Sequence, residues 1–219
     1  MTTILITGAN RGIGLELTRR CAGRGDDVIA VCRSSSAELD GLGVEVLEGV
    51  DVTSDDSIAG LVLALNGRKI DRLVNNAGIL EKTSLDNLDV SSMERQFRVN
   101  AVAPLLLTAA LRSNLKSGSK VFIITSRMGS VDDNTSGGSY GYRMSKAAVN
   151  MAGKSLSVDL KDAGVGVFLL HPGWVSTDMT GNTGISVEES AAGLLDRMDS
   201  LDVGQTGTFW HQEGYMLPW

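Results

Sequence analysis

Short, almost unbroken apolar runs alternate with stretches of helical periodicity along the 219 residues, and this rhythm most constrains the fold. The runs predict strands over 2–7, 27–32, 44–49, 70–75, 119–124, 165–170 and 207–210. Helices are expected over 12–23, 54–66, 91–116, 140–162 and 187–198. Strands apolar at nearly every position suit a parallel sheet covered on both faces, and alternating βα units build one. The expectation is therefore an α/β fold: a doubly wound parallel sheet of about seven strands with helices on both faces. No linker or low-complexity tract divides it, so residues 1–219 are read as a single domain.

Two features inside the 91–116 helix stand out. Ser91 followed by Glu94 reads as a capping-box start. Pro104 has no N–H to offer the carbonyl of Asn100, four residues earlier, which predicts a kink or a main-chain oxygen left for another partner.

The first strand runs into "TGANRGIG", Thr7 to Gly14, at the mouth of the first helix. Glycines at such a turn let backbone approach a pyrophosphate resting on the helix N-terminus, so Gly8, Gly12 and Gly14 are candidate cofactor residues. The second strand ends Val31-Cys32-Arg33-Ser34, without the acid that accepts a ribose 2′-hydroxyl in NAD-selective folds. Arg33, with Arg11 in the glycine turn, suits a 2′-phosphate, and NADP(H) is expected over NAD(H).

A formal net charge of −6 argues against nucleic-acid backbones and anionic membranes as partners. No apolar run nears the roughly 18 residues of a membrane span, and no export segment is readable. Cys21 and Cys32 read as core residues of a reduced, cytoplasmic protein. His171 and His211 come with no cysteine cluster, so no metal site is expected.

"YGYRMSK", 140–146, sets Lys146 one helical turn beyond Tyr142, whereas Tyr140 lies on a different face. A phenol titrates near 10, too high for a ready base at neutral pH, and a neighbouring ammonium favours its phenolate. Ser126 closes the fifth strand, where the crevice of an α/β sheet opens.

These motifs, Thr7-Gly8-x-x-x-Gly12-x-Gly14, Asn75-Asn76-Ala77-Gly78, Asn100, Ser126, Tyr142-x-x-x-Lys146 and Pro172-Gly173-x-x-x-Thr177, together resemble the short-chain dehydrogenase/reductase family. The "DNTSGG" insert and the ending "TGTFW…LPW" resemble its sniffer-type carbonyl reductases and C-factor-like proteins. The resemblance implies a Rossmann-type sheet and hydride transfer between a nicotinamide and a small carbonyl or alcohol compound. It makes Tyr142 the acid/base, Lys146 its partner and a ribose ligand, Ser126 a donor to the substrate oxygen, and Asn100 the holder of a relay water. The carbonyl deprived by Pro104 would be the acceptor such a water needs. For the cofactor it adds Asn10, Ile13, Asp51, Val52, Asn76, Pro172, Gly173, Val175 and Thr177 to the glycines, Arg11 and Arg33. It also implies a homodimer or homotetramer; the small residues Ala147, Ala148, Ala152 and Gly153 on the 140–162 helix would suit close helix contact, within one chain or between two.

Ser126 and Tyr142 are 16 apart, wider than the family's usual dozen, which implies an inserted loop and makes Ser130 a rival. Ser126 is preferred because it directly ends the strand. From Pro172 to Ser186 little chain remains for a substrate lid, implying an open mouth. His171 reads as a packing or hydrogen-bonding histidine, Trp174 and Met179 as core ahead of the alternative that they line the pocket, and "VDD" at 131–133 as a solvated loop. The expected function is NADPH-dependent reduction of aldehydes or ketones. The alternatives are a dinucleotide-binding signalling or regulatory protein with secondary turnover, and an NAD-dependent alcohol dehydrogenase.

Overall fold

The computed structural model describes residues 1–219. Seven parallel strands, β1 (Thr3–Thr7), β2 (Asp27–Val31), β3 (Glu45–Leu47), β4 (Ile70–Asn75), β5 (Leu115–Ile124), β6 (Gly166–His171) and β7 (Thr208–His211), form one sheet of order β3-β2-β1-β4-β5-β6-β7. The helices are α1 (Gly12–Gly23), α2 (Ala37–Asp40), α3 (Asp55–Leu65), α4 (Val90–Phe97), α5 (Ala103–Ala110), α6 (Tyr140–Asp159) and α7 (Val187–Ser200).

Alternate strand residues face opposite sides. Ile4, Ile6, Val28, Ala30, Phe122 and Phe168 pack with Leu17 and Cys21 of α1 and Leu194 and Met198 of α7. Leu5, Ile29, Leu73, Val121, Ile123 and Val167 pack with Leu61 of α3, Leu107 of α5 and Val149 and Leu156 of α6. With both faces covered, the strands have no polar alternation to show. The order reverses at β1, flanked by β2 and β4, and a crevice opens there beyond the carboxyl ends of the strands.

The long helix expected over 91–116 is three segments. It starts at Val90 under Asp89, whose carboxylate accepts from Ser92 N at 3.1 Å, so Asp89 and not Ser91 is the cap. A π-helical turn, Arg98–Val102, closes with Ala103 N donating to Arg98 O, and α5 follows with Pro104 in its first turn. The wide turn accommodates the missing N–H of Pro104 without a break in the helix axis. The helix ends at Ala110, because β5 already begins at Leu115, bonded through Ile70 with a register shift before Arg72.

On α6, an added Cβ at Gly153 would stand 3.1 Å from Leu169 and 3.2 Å from Ile123. Its smallness lets α6 lie on its own sheet. No helix is long and apolar enough to cross a membrane.

Candidate active site

The glycine turn is shaped by contacts that side chains would destroy. Gly8 and Gly12 have φ of 65° and 54°, in the left-handed region that favours glycine. A Cβ on Gly14 would collide with Gly8 O. Asn76, beyond β4, braces the turn by donating to Thr7 O (2.9 Å) and Gly8 O (3.2 Å), while its own N–H and that of Ala77 donate to Thr7 Oγ1. The start of α1 has neither a side-chain cap nor an acid in its first turn, whereas Ser54, Asp89 and Ser186 cap α3, α4 and α7. Uncapped N–H groups at a glycine cradle fit a pyrophosphate.

Thr177 stands opposite, its methyl 3.6 Å from where a Gly12 Cβ would be, and an exposed ion pair between Arg11 and Asp178 (3.3 Å) joins the two walls. Pro172 is fixed by Ser190, whose hydroxyl donates to its carbonyl at 2.7 Å; Gly173 has φ of 88°, and Val175 is buried. Asn10 O accepts from Ser36 Oγ at 2.9 Å. Asp51 turns its carboxylate onto Thr53 N and Oγ1; these bonds, and Arg33 nearby, hold it below the usual carboxylate range. Val52 lies in a small apolar recess with Thr7 and Asn75.

Arg33 is exposed at the end of β2. The fold also brings in acids that the β2 sequence does not show: Glu48 accepts from Ser35 N at 3.2 Å, and Asp40 accepts from Ser35 Oγ at 2.5 Å. Both carboxylates are thereby tied to Ser35, one residue beyond Ser34.

At the other end of the crevice Tyr142 and Lys146 are both buried, with the Lys146 ammonium 5.6 Å from the phenol ring centre. Tyr140 is only half-buried. Lys146 Nζ donates to Ile124 O at 3.0 Å. Burial pushes the Tyr142 phenol up to about 12, the neighbouring Ser126 hydroxyl offsetting only part of it, and pushes Lys146 down to about 8. The expectation that the ammonium would dominate and lower the phenol is thus corrected. Loss of water costs the phenolate more than its neighbours return.

Ser126 ends the strand side of the site; its Oγ accepts from Met128 N at 3.1 Å, and its side chain lines the same cleft as Tyr142. Ser130 is spent elsewhere: its hydroxyl donates to Trp219 O and accepts from Asp133 N. Asn100 is buried with its side-chain amide fully engaged. Oδ1 accepts from Ile79 N (2.9 Å), and Nδ2 donates to Ile79 O (2.8 Å) and Ser145 Oγ (3.0 Å). The amide pins the segment after β4 to α6, and any water held at this residue falls to its main-chain oxygen.

These groups open into a cleft of about 440 Å³. Three readings change here. Trp174 and Met179 are exposed cleft-lining residues, not core. Asp133 of "VDD" pairs with Arg127 in the cleft wall. His171 also lines the cleft, its buried Nδ1 without a partner, and burial, reinforced by positive neighbours, pulls it down to about 3. Arg127, Arg143 and His211 are further lining residues; the sequence had not marked the arginines, and had considered His211 only as a metal ligand. For Arg127, inside it, and Arg143, just beyond it, the lengthened interval between Ser126 and Tyr142 was the one advance sign; His211 had none.

A family model, short chain dehydrogenase, matches residues 2–187. A 1-hydroxy-2-glutathionyl-2-methyl-3-butene dehydrogenase of Rhodococcus sp. is 42% identical, covering 100% of both chains. C-signal of Myxococcus xanthus is 44% identical over 68% of this chain and 93% of its own. Among solved structures, an NADPH-bound carbonyl reductase from chicken fatty liver and the carbonyl reductase Sniffer of D. melanogaster are each 31% identical with a TM-score of 0.90. Each covers 100% of this chain, and 99% and 100% respectively of their own. The chain belongs to the short-chain dehydrogenase family, and it is an oxidoreductase of the carbonyl-reductase-like kind.

Proposed function

For this short-chain dehydrogenase we propose NADPH-dependent reduction of an aldehyde or ketone, with Tyr142 as the general acid. The observation that carries this reading is that Ser126 and Tyr142 line one cleft, with the Lys146 ammonium 5.6 Å from the phenol ring, and that the cleft reaches Ile13 at the uncapped start of α1. Gly8, Asn10, Gly12, Ile13, Gly14 and Asn76 would hold the pyrophosphate end, Arg11 and Arg33 the 2′-phosphate, and Asp51 and Val52 the adenine edge. Pro172, Gly173, Val175 and Thr177, with Tyr142 and Lys146, would hold the nicotinamide riboside. When bound, the dihydronicotinamide supplies the hydride to the carbonyl carbon.

Tyr142 gives its proton to the carbonyl oxygen, which leaves as an alcohol. Ser126 donates a hydrogen bond to that oxygen as charge develops, and the Lys146 ammonium stabilises the phenolate left behind. Asn100 holds the water through which the proton is restored. A phenol pushed up to about 12 is fully protonated at neutral pH, which suits a donor and so favours reduction. The opposite direction is favoured by the likeness to a protein named a dehydrogenase. A signalling role, which the likeness to C-signal suggests, would need none of Ser126, Tyr142 and Lys146. Two buried free thiols suit a reducing, cytoplasmic setting, and exposed Met144, Met151 and Val158 on α6 suit a homodimer or homotetramer.

The test is NADPH consumption by the purified protein across a panel of aldehydes and ketones, against NADP⁺ reduction by the matching alcohols. Turnover only in the second direction would replace this reading. The cofactor assignment has its own check. A charge-assisted bond contributes about 1.5–3 kcal/mol, so Arg33→Ala should raise the NADPH Kd at least about tenfold and leave NADH nearly untouched. A parent protein that prefers NADH would show that Glu48 and Asp40, not Arg33, govern the ribose.

The rate should also report Lys146. Its ammonium persists below about 8 and is lost above it, while Tyr142 stays protonated throughout. Reduction kcat/KM should therefore be level from pH 6 to near 8 and then fall. A profile still level at pH 10 would remove Lys146 from the chemistry.

A further inference from the structure

The cleft beside Tyr142 has a mixed lining. Leu80, Met128, Trp174 and Met179 are its apolar members, and Arg127, Asp133, Thr135, Ser136 and Arg143, contributed by the segment from 127 to 143, are polar. Asp133 is already paired with Arg127, one oxygen accepting from Arg127 NH2 at 3.0 Å. Arg143 is half-buried and has no carboxylate partner. Nε donates to Gly137 O and Gly138 O (both 3.2 Å), NH1 to Met128 O (3.4 Å) and NH2 to Ser136 Oγ (2.8 Å), and every one of these acceptors is neutral.

Two arginines and one aspartate leave the charged lining at +1, in a chain whose formal net charge is −6. His171 and His211, both lowered mainly by burial, add no charge at neutral pH. The inserted loop supplies this polar lining, and Arg143, one residue after Tyr142, grips it.

Resting on the reductase reading, we propose that Arg143 selects the substrate: the compound reduced carries, remote from its carbonyl, a carboxylate that the Arg143 guanidinium receives, its apolar body lying along Trp174 and Met179. An unpaired, partly desolvated guanidinium is the group that gains most from such an anion. The name of the Rhodococcus relative, with its glutathionyl group, is of the same chemical kind, a carbon skeleton joined to carboxylates.

The probes are ω-oxo carboxylates of increasing chain length and their methyl esters, assayed with saturating NADPH. At the best length the parent should favour the acid over the ester by about tenfold or more in kcat/KM, the scale of one charge-assisted bond. That ratio should shrink between about 50 and 500 mM salt. In Arg143→Gln the acid-to-ester ratio should drop at least tenfold, and Arg143→Lys should restore part of it. The ratio isolates recognition, because damage to the loop that Arg143 holds would lower both rates together. The proposal is overturned if the parent treats acid and ester alike at every length, or if Arg143→Gln leaves the ratio intact. Ester turnover in those cases keeps the reductase reading alive; no NADPH consumption with the series while other aldehydes or ketones are reduced sinks this proposal alone, and none with any carbonyl compound sinks both.

Discussion

Tyr142→Phe should lower carbonyl reduction by about 10²–10⁴-fold, the range that a positioned general acid contributes, while NADPH binding stays nearly unchanged. The substitution deletes one oxygen from a buried side chain and keeps the ring, so packing survives. Lys146 keeps its bond to Ile124 O whether or not the phenol is present, which leaves the ribose side of the site intact. Tyr140→Phe is the matched control, since Tyr140 is half-buried and outside the cleft lining. Single-turnover rates for both variants, with NADPH affinity from fluorescence titration, decide the matter. Loss of the rate in Tyr140→Phe with a healthy Tyr142→Phe would reassign the acid and the helix register together.

Much of this molecule is legible because its constraints are local. Seven apolar runs mark seven strands, and glycine turn, serine, tyrosine and lysine fall at strand ends or on one helical face, where spacing alone sets their neighbours. Boundaries fail where a long-range partner decides. Leu115 joins β5 because Ile70 is there to pair with it, and nothing in 111–118 itself announces a strand. Asp89 outcompetes Ser91 as a cap because the helix starts one residue after it, and the wide turn before Pro104 follows from a missing N–H whose remedy the sequence leaves open.

The cleft was less legible still. Trp174 and Met179 are large and apolar, so the sequence leans to core over pocket, and the fold decides for the cleft. Glu48 reaches Ser35 across 13 residues, so the acidity around the expected 2′-phosphate subsite was invisible from β2 alone. The same applies to the phenol of Tyr142. Its lysine is readable from a four-residue spacing, but how much water the site excludes is a property of the whole packing, and that sets the direction of the shift.

Gly129→Ala carries this lesson into the second large effect. Ser126 is placed by a short turn, Arg127–Gly129, in which Gly129 N donates to Ser126 O at 2.8 Å and Ser126 Oγ accepts from Met128 N. That turn lies against the backbone of α6 at Lys146. A Cβ on Gly129 would stand 2.6 Å from Lys146 C, 2.8 Å from its oxygen and 2.9 Å from Ala147 N, in the middle of a 20-residue helix with little room to yield. The turn must move, taking Ser126 away from Tyr142. The rate should then approach that of Ser126→Ala, a loss of about 10²-fold for one oxyanion-type donor, with about 1–3 kcal/mol of stability lost to overpacking. Gly60→Ala is the counterpart: Gly60 lies inside α3 with nothing within 4 Å of an added Cβ. Alanine there should stabilise by about 0.5–1 kcal/mol and leave the rate alone. Thermal melts and kcat for the three variants give the answer. If Gly129→Ala melts early yet turns over like the parent, the turn does not position Ser126, and the hydroxyl that meets the substrate lies elsewhere on the cleft wall.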